Sequence, residues 1–238
     1  MPADRLSAAR KTSPQSRRRR RPSTRNRTNV PAATAEQDGR ERILAVAIRA
    51  FSEVGYEGTT TAGIARDAGV TQPLVHHHFG SKEGLWRAAM DALFANVPSV
   101  IARAAGEPPP DSLLAIVEGF VRWVAAHPEV TRVIARTGAT PSPRLDHLVQ
   151  RYLREPLRQV AEVVRAGQRA GVIAPDVRPD LLLFLILGAG SHLFDVKAFA
   201  QRSLGIDVTA PGTRDQFVAL VRMLLERGLF HGTREAPA

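Results

Sequence analysis

The residues of this 238-residue chain best suited to chemistry crowd into one stretch: Thr59, Thr60 and Thr61, then Thr71 and Gln72, then His76, His77 and His78, then Lys82. Three adjacent histidines invite a metal reading. Successive helical side chains point about 100° apart, however, so three in a row cannot converge on one ion; an i, i+4 pair would be needed. The chain has no cysteine, which excludes thiol nucleophiles, disulfides and Cys-ligated zinc. No Ser/His/Asp set, phosphate-cradling glycine loop or paired carboxylates emerge either. The expectation is a non-enzyme without cofactor or metal. What remains is a set of hydroxyls, an amide, imidazoles and an ammonium group, which suit recognition of an anion.

Short helices must position these groups. From Glu41 to Val54, Ile43, Leu44, Ala47, Ile48 and Phe51 fall on one face of an amphipathic helix that Gly55 stops. Thr60 is placed to cap a short helix Thr61–Ala68, with Ile64 and Ala65 inward and Gly69 ending it. Thr71 is placed to cap Gln72–Phe79, where Pro73 falls harmlessly in the first turn. Gly80 ends that helix, and Ser81 caps a fourth beginning at Lys82. Two short helices joined by a glycine-containing turn and packed on a longer one describe a helix-turn-helix.

The segment RILAVAIRAFSEVGYEGTTTAGIARDAGVTQPLVHHHFGSKEGL resembles, without a gap, the DNA-binding segment of the TetR family of bacterial transcriptional regulators (TetR/AcrR-like). The shared elements are Ile43-Leu44, Phe51, Gly55-Tyr56, Thr59-Thr60, Ile64-Ala65, Ala68-Gly69-Val70, His78-Phe79, Ser81-Lys82-Glu83 and Leu85. The resemblance implies an all-α protein, with an N-terminal three-helix DNA-binding domain and a C-terminal helical domain for ligand binding and dimerisation. It implies that the third helix enters the major groove, with Thr71, Gln72, Pro73 and Leu74 leading. Gln72 can make a bidentate contact to adenine, and Pro73 and Leu74 can touch a thymine methyl. Thr60 and Thr61 match the family's phosphate contacts. Capping alone is the competing role for Thr60 and Thr71, and simple solvation for Gln72. The family pattern is broken at Pro73, where Gly is usual, and at His76, where a backbone-contacting Tyr is usual. His76 is therefore a candidate phosphate contact, and His77 joins the DNA-facing set. Lys82 puts a cation in the first turn of a helix, against the macrodipole; a phosphate partner would account for it.

Charge supports a polyanionic partner. The formal net charge is +10, from 33 basic and 23 acidic residues. Residues 1–30 hold ten of the basic residues and one acid, among them the run Arg17, Arg18, Arg19, Arg20 and Arg21. Residues 39–85, by contrast, hold five of each sign. The expected organisation is a disordered basic tail at 1–38, a DNA-binding domain at 39–85 and a helical effector-binding and dimerisation domain at 86–238. The arginine run would be an accessory DNA arm. No apolar core of a secretory signal follows these charges, and the longest apolar run, Leu181–Gly190, is too short to span a bilayer. The expectation is a cytoplasmic protein with no membrane partner.

Beyond residue 85 the pattern stays helical. Expected helices reach Asn96 with a stop near Pro98, start at an Asp111 cap and end near His127-Pro128, and run from Glu129 to Arg136. A long one follows to Ala170 with a kink at Pro156, then Asp180–Leu204, then a last one stopped by Gly228. Residues 181–187 are apolar on all sides, so they are buried all round or form an interface. By resemblance, the last two long helices pair with those of a second subunit, and the homodimer presents two recognition helices to a palindromic operator. A small apolar or amphipathic effector would release such a repressor from double-stranded DNA. Phe120, Trp123, Tyr152, Phe184 and His192 are candidates to line its pocket, with core packing the competing role. A sequence-independent DNA-compacting protein driven by the tail is the alternative.

Overall fold

The computed structural model describes residues 32–97 and 107–230. The arginine run and the expected Pro98 stop lie outside them. Among the described residues the helices are α1 (Ala32–Gly58), α2 (Thr61–Asp67), α3 (Gln72–Phe79), α4 (Lys82–Phe94), α5 (Pro109–Ala126), α6 (Glu129–Gly138), α7 (Pro143–Leu148), α8 (Arg154–Arg169), α9 (Pro179–Asp195), α10 (Lys197–Leu204) and α11 (Pro211–Gly228). No strand occurs among them beyond an isolated Ile173–Phe230 bridge.

Local signals written in the sequence are used as expected. Thr60 Oγ1 accepts from the Gly63 N–H at 3.0 Å, and Ser81 Oγ accepts from the Gly84 N–H at 3.0 Å. Gly69 turns the chain between α2 and α3 at φ 66°, a conformation that costs a side-chain-bearing residue about 1 kcal/mol or more.

Other boundaries differ. Helix α1 begins at Ala32, inside the stretch expected as tail, because Ala32–Gln37 contains good helix formers and no breaker. Gly55, at φ 77° and ψ 177°, interrupts α1 rather than ending it, and a further turn reaches Gly58. Helix α5 starts two residues before Asp111, with Pro108 at the cap position and Asp111 in the first turn. The expected kink at Pro156 takes the form of a π-helical turn, Val149–Leu153, just ahead of α8. Proline lacks the N–H that would continue the ladder, and the wider turn absorbs that loss. The single helix expected over Asp180–Leu204 is two, α9 and α10, bent by 70° at Val196. Phe194 and Ala200 are both buried. Six residues turn a straight helix by about 240°, so one straight helix could not point both inward.

Two cores result. The first joins Ile43, Ala47 and Phe51 of α1, Ile64 of α2, Val75 of α3 and Leu85, Trp86, Met90 and Phe94 of α4 to Val130 and Val133 of α6 and Leu148 of α7. A boundary at residue 85 thus falls inside α4, whose apolar face serves both sides. The second core gathers α5, α8, α9 and α11 around Leu113, Val117, Val121, Val164 and Ile186. No single helix is long and apolar enough to cross a membrane among the described residues.

Candidate nucleic-acid interface

Helix α3 is held from behind by the buried Val75, with Leu74, His78 and Phe79 half-buried beside it, and presents Gln72, Pro73, His76 and His77 outward. Its N-terminus is set by the Gly69 turn and by Leu74 and Val75 N–H groups donating to the Thr71 carbonyl at 3.1 and 3.4 Å. Its C-terminus is held against α4 at Gly84, where a β-carbon would stand 2.2 Å from the Phe79 carbonyl oxygen. Only glycine fits there; the sequence signal was present in Ser81-Lys82-Glu83-Gly84, but nothing local distinguishes a close approach from an ordinary helical glycine.

The hydroxyls at the two helix starts differ in what they already do. Thr59 is buried, and its Oγ1 donates to the Gly55 carbonyl at 2.7 Å, a structural role. Thr60 caps α2, though its hydroxyl hydrogen remains free to donate outward. Thr71 occupies the cap position of α3, yet its side chain makes no capping bond and is exposed. Capping therefore does not account for Thr71. Gln72 donates through Nε2 to Thr61 Oγ1 at 3.3 Å, which ties the tip of α3 to the start of α2 and orients the amide. Gln72, Pro73, His76 and His77 are exposed. Leu74 is half-buried, with its Cδ2 leaning toward Gly39 of α1, and offers less to a partner than Pro73.

His76 Nδ1 lies 3.1 Å from the Gly80 carbonyl oxygen. A carbonyl only accepts, so Nδ1 carries the hydrogen, and Nε2 of the neutral ring is an acceptor. Only the imidazolium can donate from Nε2 to a phosphate. His78 is half-buried beside Phe79 at 5.9 Å between rings, and its Nε2 is buried without a hydrogen-bond partner. No group of histidines and carboxylates suited to a metal occurs among the described residues.

Lys82 has a partner that the sequence did not disclose. Its Nζ stands 4.3 Å from the centroid of the Tyr56 ring, so a cation–π contact offsets part of its unfavourable place in the first turn. The Arg144 guanidinium, from the first turn of α7, stands 3.8 Å from the same centroid. Phe51 stacks on Tyr56 at 6.0 Å and Trp86 meets its edge at 6.3 Å. Burial, and then the charge of Glu83, push the Tyr56 phenol above its ordinary range.

The five candidate pocket residues do not converge. Phe120 packs against Gly190, where a β-carbon would come within 3.0 Å of its ring. Tyr152 stacks on Phe94 at 5.0 Å and donates to Asp91 at 2.9 Å. Burial and the Asp91 bond push its phenol up to about 12. Trp123 touches both cores and keeps its indole N–H buried without an acceptor. Phe184 is 77% exposed and His192 is exposed, so neither lines an interior. A cavity of about 270 Å³ lies instead between α5 and α11, lined by Val121, Arg122, Ala125, Pro211, Arg214, Asp215 and Val218. It contains none of the five, and its wall carries the Arg122–Asp215 ion pair at 2.6 Å.

Known proteins share this arrangement. The profile for bacterial regulatory proteins of the tetR family matches residues 43–89, and that for the tetracyclin repressor-like C-terminal domain matches residues 109–224. The HTH-type transcriptional regulator BetI of Stenotrophomonas maltophilia is 36% identical over 93 residues, which are 38% of this chain and 47% of that protein; the match thus spans about half the length of that relative. RaaS, an HTH-type transcriptional regulatory protein of Mycobacterium tuberculosis, is 29% identical over 162 residues, covering 67% of this chain and 72% of that one. The crystal structure of HlyIIR, a hemolysin II transcriptional regulator, superposes with a TM-score of 0.61 over 78% of this chain and 97% of that chain; at 20% identity it speaks for the fold alone. Together the two profiles cover both halves of the described chain: it belongs to the TetR family of bacterial regulatory proteins.

Proposed function

We propose that this chain is a sequence-specific DNA-binding transcriptional regulator, a homodimeric repressor released from a palindromic operator by a small molecule. The observation that carries the reading is the start of α3. Thr71, Gln72 and Pro73 are exposed together, the Thr71 hydroxyl is not spent on a cap, and Gln72 is tied to Thr61 at the start of α2. A helix seated on Val75 and the half-buried Leu74, His78 and Phe79, with exposed polar residues at its N-terminus, suits base reading in a major groove. Thr60, Thr61, His76, His77 and Lys82 fit the role of phosphate contacts, which fix register without reading sequence.

An outer apolar face supports the homodimer. Leu181, Phe184 and Leu185 of α9 are 58%, 77% and 66% exposed, and Leu220 and Leu224 of α11 are 46% and 60% exposed. Such a face on a folded chain calls for a partner surface, and two-fold pairing would set two recognition helices side by side. The cavity between α5 and α11 favours an amphipathic effector over a purely apolar one, because two arginines and an aspartate share its wall with Val121 and Val218.

Selection from a pool of random duplexes, followed by footprinting of the selected sequence, tests the reading. Enrichment of one palindrome, with half-sites about one helical turn apart, is expected. Uniform protection without enrichment would instead favour compaction by the basic tail. The tail is a separable proposal. Removing residues 1–31, which include Arg17 to Arg21, is expected to weaken binding and flatten the salt slope by about 0.9 per lost phosphate contact, while the selected sequence stays the same.

A further inference from the structure

We infer that Arg144, a residue of the C-terminal helical region, is a positioning residue for DNA binding: it holds Glu57 and Glu83 so that Lys82 stays available to a phosphate. The inference rests on the reading of Lys82 as a phosphate contact.

Arg144 sits in the first turn of α7, in the segment matched to the C-terminal domain, yet all its polar contacts reach back to the DNA-binding head. Its Nη2 donates to Glu57 Oε1 at 2.5 Å, and its Nη1 lies 3.9 Å from Glu83 Oε2. Its guanidinium covers the Tyr56 ring at 3.8 Å. The Arg144 side chain is only 29% exposed, although Glu57 is 82% exposed. Glu83 is also held by Arg87 at 3.0 Å, within one helix. Lys82 stands between these groups: it precedes Glu83 in the chain and shares the Tyr56 ring with Arg144.

The competition has a definite direction. A ring that already faces one cation attracts a second less strongly, because both draw on the same negative quadrupole. Two carboxylates satisfied by arginine likewise attract a neighbouring ammonium less than two bare ones. With Arg144 docked, Lys82 is held loosely and its charge can be spent on a phosphate. With Arg144 withdrawn, Tyr56 and Glu57 lose their guanidinium and Glu83 keeps only Arg87, so the negative charge left around Lys82 draws it in and stands nearer the DNA. Arg144 follows α6 and the Ser142 cap, whose Oγ accepts from the Leu145 N–H at 3.1 Å. Any movement of α7 against α1 and α4 therefore changes how much of the Lys82 charge reaches DNA.

The test uses the full-length protein and a mixed-sequence duplex about three helical turns long, since phosphate contacts do not depend on sequence. Affinity is measured against salt for the wild type, Lys82→Met, Arg144→Met, the double variant, and Arg144→Met combined with Glu57→Gln and Glu83→Gln. Lys82→Met is expected to reduce the salt slope by about 1. Arg144→Met is expected to weaken binding roughly five- to tenfold and to reduce the slope similarly, because the same contact is lost indirectly. The double variant should be no worse than Lys82→Met alone, and removing the two acid charges should restore Arg144→Met to within about twofold of wild type. Arg144→Lys, which keeps the charge, should retain most of the affinity. If Lys82→Met leaves the slope unchanged, the phosphate role of Lys82 fails and this inference with it. If Lys82→Met lowers the slope but Arg144→Met adds to it independently, or the Gln pair fails to rescue, Lys82 keeps its role and Arg144 is only a packing residue.

Discussion

The head of the molecule and its C-terminal half use polar groups in opposite ways. Between Thr60 and Lys82 the polar side chains stand at helix ends, are mostly exposed, and are tied to neighbours by single bonds: Thr60 to Gly63, Gln72 to Thr61, His76 to Gly80. Between Pro109 and Gly228 the candidate pocket residues are scattered. Phe120 is against Gly190, Tyr152 against Phe94 and Asp91, and Phe184 faces outward. A surface that reads DNA must be displayed on a rigid support, so local sequence rules place it. A pocket is made by the spaces between helices, so no local rule does.

The comparison breaks most severely if the two halves are not one cooperative structure. Leu85 and Met90 of α4 are fully buried in a core that includes Val130, Val133 and Leu148. Leu85→Ala or Met90→Ala is expected to cost about 2–5 kcal/mol. Head and C-terminal helices should then unfold in a single transition at lower temperature, followed by circular dichroism and tryptophan emission together. Two separate transitions, with only the head shifted, would show that the halves are independent and that α4 belongs to one of them.

A smaller effect tests whether the head reads bases where it is exposed. Gln72→Ala is expected to cost about 1–3 kcal/mol at one base-pair position of each half-site and to leave the others unchanged. Thr71→Ala should cost little stability, because no capping bond is lost. Competition binding with single-base variants of the selected duplex checks both. A uniform loss across all positions would place Gln72 among the backbone contacts instead.

These cases show why one half was more legible than the other. Thr60, Ser81 and Gly69 act on residues two or three positions away, so their types alone fixed the caps and the turn. The α9–α10 bend was invisible because it depends on where Phe194 and Ala200 find a common core. The outward position of Phe184 was not legible, because apolar residues on all sides of a helix indicate covering, not which partner does the covering. Arg144 gave no signal at all: an arginine after Ser142-Pro143 looks like any solvated residue until α7 is folded against Tyr56. The boundary at residue 85 followed the end of a sequence motif, whereas α4 is shared because its apolar face is broad enough to meet α1 and α6 at once.

Two histidines sharpen the contrast, one at the DNA-facing surface and one packed in a core. His76 donates Nδ1–H to Gly80 and can offer a hydrogen to phosphate from Nε2 only as the imidazolium. His76→Ala is therefore expected to weaken binding about equally for all sequences and to reduce the salt slope by about 1. Affinity measured against salt checks this, and a variant that keeps the wild-type salt slope would remove His76 from the interface.

His147 of α7 belongs to the other half and packs against Trp86 at 5.6 Å and Tyr152 at 5.8 Å. Burial, and then Arg87 and Arg151, hold its imidazole below the ordinary histidine range, and its Nε2 is buried without a partner. Folding therefore favours the neutral ring. Below the ordinary value of about 6.5 the unfolded chain takes up the proton more readily than the folded one, so this contribution is complete above that pH and is lost as pH falls toward the lower folded value. The Tm is expected to drop between about pH 7 and 5 by more than in His147→Gln, whose amide does not titrate. Trp86 emission, beside the ring, should track the same change. Because α7 and α4 share a core, acid that weakens the packing around His147 should also lower DNA affinity over the same pH range. In His147→Gln that loss should be smaller, and an unchanged loss would show that the packing of α7 does not limit the head.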